Sequence, residues 1–243
     1  MGVKGQLRHM NKALFFKRLC RPALVLGLVG LTLSACASLP AADLPPPPPP
    51  PGLPSDGPVL RDWRGLIKPQ DLDRYQRLSS AWELSLRQAR EQKGSGNLQR
   101  LGDLIDPSAK LDFVTPPEGD YRCRTVKLGS QSGSDGLGYV IYGWFACRIE
   151  ATPAGLKLIK QTGSQRPSGL LFPENDQQMV FLGSMSMVNE PPANSYGQKP
   201  ERDMVAVLER VGETRWRLVI PWPHNESNLD LIELVPAAAT ARR

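Results

Sequence analysis

The 243 residues hold two histidines and four cysteines, and their positions decide most of the chemistry worth considering. His9 lies in a basic amino-terminal stretch. His224 stands alone in Pro221-Trp222-Pro223-His224-Asn225-Glu226-Ser227. One imidazole does not make a multi-histidine zinc site. A Ser–His–acid triad drawn from four consecutive loop residues does not reach triad geometry either. No metal and no other cofactor is expected. Carboxylates are the remaining catalytic resource: Asp120, Glu150 and Asp203 are acids open to convergence as a glycosidase pair, although no spacing singles one out. A polar set near strand ends, Arg124, Gln165, Arg166 and Arg202, is the candidate contact for an anion or ligand. Beside Gly163 and Ser164, Arg166 offers a rigid fork to a carboxylate or phosphate. Its structural alternative is a salt bridge to Glu174 or Asp203 that pins a turn. The Gly- and Ser-rich run 129–138 lies between strands and opens no helix, so it is expected to be a mobile hairpin tip and not a phosphate cradle.

The cysteines divide by position. Cys20 lies among basic and apolar residues, and Cys36 closes Leu33-Ser34-Ala35-Cys36. Ahead of Cys36, residues 1–35 carry six basic side chains and no Asp or Glu, then the apolar run from Ala23 to Leu33. A basic start, a short apolar segment and small residues is the order of a signal peptide, and the run falls short of the ~20 residues a spanning helix needs. Met1 and Met10 both serve as starts, because four basic residues follow Met10. The four residues ending at Cys36 resemble the lipobox of bacterial lipoproteins, in which the thiol is acylated and becomes the mature amino terminus. Two or three acyl chains, at roughly 0.8 kcal/mol per buried methylene, anchor a protein stably. The expectation is a membrane partner through the lipid on Cys36. Ala37 in place of Asp points to the periplasmic face of the outer membrane.

Cys123 and Cys147 remain. Their midpoint is residue 135, inside the turn Ser134-Asp135-Gly136, so a hairpin centred there sets them opposite each other, close enough for a disulfide in an oxidising compartment. Charge adds an exclusion. Removing the six basic residues of the leader leaves 24 basic against 24 acidic residues. A neutral body gives no sustained surface for phosphates, and no nucleic-acid partner is expected.

Positioning these residues requires folded elements. Seven prolines, Pro45–Pro51, span roughly 22 Å as polyproline II and separate the lipid end from a folded domain over 59–236. The predicted layout is a signal peptide over 1–35, a lipidated cysteine and linker over 36–58, a helical part over 59–110, a β part over 111–236 and a disordered tail over 237–243. Leu72, Tyr75, Leu78, Trp82, Leu86 and Ala89 recur at steps of three and four, which predicts one amphipathic helix over 69–93; a shorter helix is predicted over 97–105. Beyond Leu111 the period becomes two, and eight strands are predicted over 121–128, 138–150, 156–161, 168–172, 179–187, 203–211, 214–220 and 229–234. Trp216, Leu218 and Ile220 alternate with Arg215 and Arg217, which predicts core on one side and solvent on the other. The fold class is mainly β (α+β): helices packed on an antiparallel meander that closes as a small barrel or half-barrel.

Several motifs together resemble a family of uncharacterised bacterial proteins, domain-of-unknown-function family 4893. They are Tyr121-Arg122-Cys123-Arg124, Phe145-Ala146-Cys147-Arg148-Ile149, Thr162-Gly163-Ser164-Gln165-Arg166, Glu209-Arg210-Val211-Gly212 and Arg215-Trp216-Arg217-Leu218-Val219. Residues from Glu226-Ser227 through Glu233-Leu234-Val235-Pro236 continue the likeness, which covers most of 61–236. The resemblance implies export and often a lipid anchor; it brings no known reaction and no site. The functional expectation is a lipid-anchored, non-enzymatic binding or accessory module for an envelope protein or glycan. The alternatives are a cell-wall or polysaccharide hydrolase using carboxylates and a periplasmic protease inhibitor.

Overall fold

Eight strands wind into one closed antiparallel barrel in the computed structural model, which describes residues 62–237. The expected leader, Cys36, the proline linker and all of the tail except Ala237 lie outside the described residues. A two-residue strand β1 (Gly94–Ser95) comes first. The barrel is then β2 (Gly119–Leu128), β3 (Tyr139–Thr152), β4 (Gly155–Lys160), β5 (Gln165–Asn175), β6 (Gln178–Met187), β7 (Asp203–Gly212), β8 (Arg215–Pro221) and β9 (Leu229–Pro236). Each strand pairs with the next, and β9 returns to β2, with Cys123 opposite Leu234 and Lys127 opposite Asp230. The predicted meander barrel is therefore closed and is not a half-barrel. β5 is longer than predicted because the strand runs through Pro167 and past Pro173 to Asn175, with a register shift between the last two; proline is tolerated at such irregularities.

Alternation does the filling. Tyr121, Cys123, Ile149, Leu158, Leu171, Phe181, Leu208, Trp216, Leu218, Ile232 and Leu234 all point inward and are essentially buried. An eight-stranded barrel is just wide enough for its side chains to fill. Gly169 and Gly183 face each other across β5 and β6, and a Cβ on either would strike the Phe181 ring. One end is plugged by the segment before β2: Trp216 donates its indole N–H to Val114 O at 2.7 Å, and the Tyr121 hydroxyl donates to Pro117 O at 2.7 Å. Burial pushes the Tyr121 hydroxyl up to about 12.

The disulfide Cys123–Cys147 is formed, with Cα atoms 5.8 Å apart, but not in the expected register. Cys123 lies opposite Phe145 and Tyr121 opposite Cys147, so the bridge crosses the pair diagonally. The hairpin is centred nearer Gly133 than Asp135, and a bulge between Arg124 and Val126 takes back only part of that shift. The Gly/Ser-rich loop is not a free tip either. Ser130 N donates to Gln88 Oε1 at 3.0 Å and Gln131 N to Glu226 O at 2.9 Å, which ties the loop to a helix and to the β8–β9 loop.

The predicted long helix is two, α1 (Pro69–Gln76) and α2 (Leu78–Glu91), with Arg77 non-helical between them (φ −93°, ψ 19°). The break follows the barrel's curvature. Tyr75 of α1 joins Trp63 over Phe172, Val180, Leu182 and Val205 of β5–β7, while Ala81, Trp82 and Ala89 of α2 cover Val126, Leu128, Val219, Leu229 and Leu231 of β2, β8 and β9. The second predicted helix is a 3-10 segment, Leu98–Ile105, broken at Gly102, whose φ of +53° suits glycine.

Arg217 corrects the predicted alternation. It faces outward on β8 yet has no exposed surface, because the 3-10 segment lies over it. Its guanidinium meets Glu209 at 2.7 Å, donates to the carbonyls of Asp103, Leu104 and Asp106 at 2.9, 3.1 and 2.6 Å, and lies 5.1 Å from the Trp82 ring centre. A guanidinium with several acceptors is satisfied in a place where an unpaired one would not be tolerated.

Candidate functional site

Two places remain where the barrel meets its surroundings: the unplugged mouth and one stretch of bare wall. Inward-facing Lys127 and Asp230 meet across the closing β2–β9 pair at the mouth, Nζ to Oδ2 at 3.0 Å. Glu226 approaches the same ammonium at 3.1 Å, and the Ser227 hydroxyl donates to Asp230. Burial works against the Lys127 charge, but Asp230 and Glu226 outweigh it and hold its pKa above the usual lysine value. Burial raises the Asp230 carboxyl, with Lys127 and Ser227 offsetting part of the rise. Above this pair Met185, Met187 and Met204 line a cavity of about 60 Å³, room for a few waters and well below the ~300 Å³ at which small-molecule pockets begin.

Of the predicted polar set, Gln165 and Arg202 both reach this mouth. Arg202 is paired with Glu190 at 2.7 Å. Arg166 points outward and makes neither predicted salt bridge. It donates to Gly163 O, Ser186 Oγ, Met187 O and Glu190 O at 2.8–3.1 Å, so it pins the loop after β6 through carbonyls and not through an acid. Glu174 is occupied by Arg64 and Trp63, and Asp203 accepts from Gly197 N. Arg124 lies apart on the outer wall against Glu233. The structure thus gathers Arg166 and Arg202 around Glu190, sets Gln165 beside Arg202, and leaves Arg124 elsewhere.

The three candidate acids do not gather at one place; two of them share a single arginine. Asp120 and Glu150 both bind Arg148, at 2.7 and 3.4 Å, near the plugged end, and Asp203 is buried at the other. His224 contacts Arg74 and Asp203 O, whereas Ser227 contacts Asp230, so no triad assembles in that loop. Among the described residues no group of three His, Cys, Asp or Glu could hold a metal ion.

The bare wall is the part of the β2–β4 outer face beyond Val126 and Ile141, where the cover given by α2 and the 3-10 segment ends. Trp144 and Ala146 are exposed on β3, as are Tyr142 and Gly143 in the bulge beside them, with Tyr142 at 41% and Trp144 at 42%. The guanidinium carbons of Arg122 and Arg124 lie 4.8 and 4.9 Å from the Trp144 ring centre. Beneath, Lys160 closes the seam where the β3–β4 ladder ends. Its ammonium donates to Thr162 O and Gln165 O, both at 2.8 Å, and sits 3.9 Å from the Phe145 ring centre with no carboxylate near. Burial, with Arg166 adding to it, lowers its pKa to about 8.

The sequence reading missed Lys127–Asp230, and the signal was there: Tyr121, Cys123, Thr125 and Lys127 alternate, which places a charge on an otherwise inward face. Its partner is 103 residues away, across the closing pair, and no local pattern names it. Trp144 and Arg122 were also passed over, for an exposed aromatic on a strand is indistinguishable in sequence from a buried one.

A filled eight-stranded meander barrel, clad by its own helices on most of its circumference and presenting one aromatic and basic wall, is the class these features define. The particular family follows from the residues themselves. The chain belongs to the family of the domain of unknown function DUF4893, whose model matches residues 63–234. No curated protein and no solved structure matches the chain.

Proposed function

We propose that this protein is a lipid-anchored binding module of the bacterial envelope, held at the periplasmic face of the outer membrane through Cys36, and that it recognises an envelope protein or glycan with the outer wall of β2–β4. The observation that carries this reading is the contrast between a packed interior, with about 60 Å³ at its mouth, and an uncovered wall bearing Trp144, Tyr142 and an Arg122 that has no acid partner among the described residues. Aromatic and arginine side chains grouped in this way are typical of recognition surfaces. Lys127, Asp230 and Glu226 at the mouth are paired with one another, which favours holding the barrel closed over meeting a substrate.

Photocrosslinking in cells tests it. A photoreactive residue at Tyr142 is expected to capture one recurring envelope component, while the same residue at Glu83, exposed on the helical side, captures none. Cys36→Ser is expected to release the protein from the membrane fraction and abolish labelling by a palmitate analogue. Equal capture from both positions removes the wall from consideration, and unchanged fractionation removes the anchor.

A further inference from the structure

The chemistry of the partner can be read from the edge of β3, and this inference rests on the reading just given. Along most of the barrel each strand is flanked on both sides. β3 is not. On the side away from β2, β1 accompanies it only at Tyr139 and Val140, and β4 only from Cys147 to Thr152. Just short of Cys147, Ala146 is tied across the seam, accepting from Gln161 N at 2.8 Å and donating to Thr162 Oγ1 at 2.9 Å. Ile141–Phe145 is therefore a strand edge with no strand beside it among the described residues. Five residues span about 17 Å, and the bulge opposite Arg124–Val126 limits the stretch to a short partner.

Natural sheets cover, charge or shorten such edges, because an unpaired row of N–H and C=O groups invites another chain. Here the surroundings specify which chain. Arg122 is exposed and makes no ion pair among the described residues, and Lys160 below Phe145 meets only carbonyls. Arg124 and Arg215 share Glu233, and Asp120 and Glu150 share Arg148, so with Arg122 and Lys160 five cations face three acids. The local surplus is positive. A second copy of this chain pairing edge to edge would face that surplus with itself.

We infer that Ile141–Phe145 receives an extended acidic segment of a partner protein, which adds to β3 as a further strand. Its carboxylates lie on the outer face, where Arg122 stacks on Trp144, and its alternate, apolar side chains take the opposite face. Strand addition supplies affinity through main-chain hydrogen bonds and specificity through alternate side chains.

The probe is a labelled hexapeptide of alternating valine and glutamate, titrated by fluorescence anisotropy against the full-length protein in detergent. Two controls replace glutamate with lysine or N-methylate the valine amides. The acidic peptide is expected to bind and to slow amide hydrogen exchange at Ile141–Phe145, and both controls to fail. Arg122→Glu is expected to weaken binding ~10-fold with an unchanged melting temperature; Trp144→Ala serves if that variant folds poorly. Equal binding by the N-methylated peptide overturns strand addition, and equal binding by the lysine peptide overturns the acidic preference. Protection of the same amides without peptide, rising with protein concentration, assigns the edge to a second copy and also overturns the proposal. Crosslinking from Tyr142 that persists while the hexapeptide fails removes the acidic strand and leaves the binding module standing.

Discussion

Arg217 and Arg122 sit on the outside of the same barrel and have opposite fates. Around Arg217 the wall is clad: the 3-10 segment and α2 lie over it, and its donors are consumed by Glu209 and three carbonyls. Around Arg122 the wall is bare, and its guanidinium has only the face of Trp144. The clad side is held by packing, with Trp82, Leu101 and Leu104 buried against the barrel. The bare side has no such layer and is stiffened from within, by the disulfide between β2 and β3 and by Lys160 across the seam. Because the strands there need no cover to stay in register, their outer face is free for something else.

Breaking the clad side should have the largest effect. Arg217→Ala leaves Glu209 as a buried charge, with Lys110 at 3.2 Å its remaining cation, and strips three carbonyls of their donor. The expected loss is about 3–5 kcal/mol, seen as a drop of roughly 10 °C or more in melting temperature. Arg217→Met combined with Glu209→Leu should recover much of it, since an apolar pair carries no desolvation cost. If the single variant melts like the wild type, Arg217 does not hold the helical layer on.

The stiffening of the bare side comes next. Closing a loop with 24 residues of separation is worth about 3 kcal/mol, so Cys123→Ala with Cys147→Ala, or reduction of the native protein, should lower the denaturation midpoint accordingly. Amide exchange should rise first in β2 and β3. A uniform rise over the whole barrel would mean the bridge supports the fold generally and not this wall.

These two cases also mark how far the sequence is legible. Period two located all eight barrel strands, and turn residues separated them, because both signals are local. The Cys123–Cys147 pairing was legible for the same reason, though its register was not: the turn centres short of Asp135, and the bulge at Arg124–Val126, which side-chain types do not announce, takes back only part of the shift. Arg217 was misread since alternation distinguishes faces without saying what covers the outer one. That cover comes from residues about 110 positions earlier. The split of the helix at Arg77 is likewise imposed by the barrel it wraps. Of the residues at the mouth, Gln165 and Arg202 were already in the polar set named from sequence, but Lys127 and Asp230 required knowing that β2 and β9 meet.

Lys160 gives a smaller effect, with a definite sign. Its folded pKa is about 8 against the ordinary 10.5, so above pH 8 the folded protein releases this proton while the unfolded chain keeps it. Where the unfolded state binds more protons, stability rises with pH. Between pH 8 and 10.5 the wild type should therefore gain on the order of 1 kcal/mol or more relative to Lys160→Met. Parallel chemical denaturation of the two proteins across that window isolates the contribution from other titrations. Parallel curves would show that the ammonium stays charged, and the seam would then be held by a fixed cation.

The smallest effect is expected on the bare wall itself, and it is the sharpest test of the comparison. Arg122→Ala removes a guanidinium with no acid partner among the described residues, and the stacking it loses at an exposed ring is worth about 0.5–1 kcal/mol at most. Trp144→Ala exposes little that was buried, for the ring is already 42% exposed. Surface changes of this kind usually stay within ~0.5 kcal/mol, so either variant should shift the melting temperature by no more than one or two degrees. A wall built for stability would respond as Arg217 does, by several kilocalories and with loosened exchange in β3. A wall left open for a partner responds only when the partner is there: the variants melt as the wild type does, while capture from Tyr142 in cells falls away.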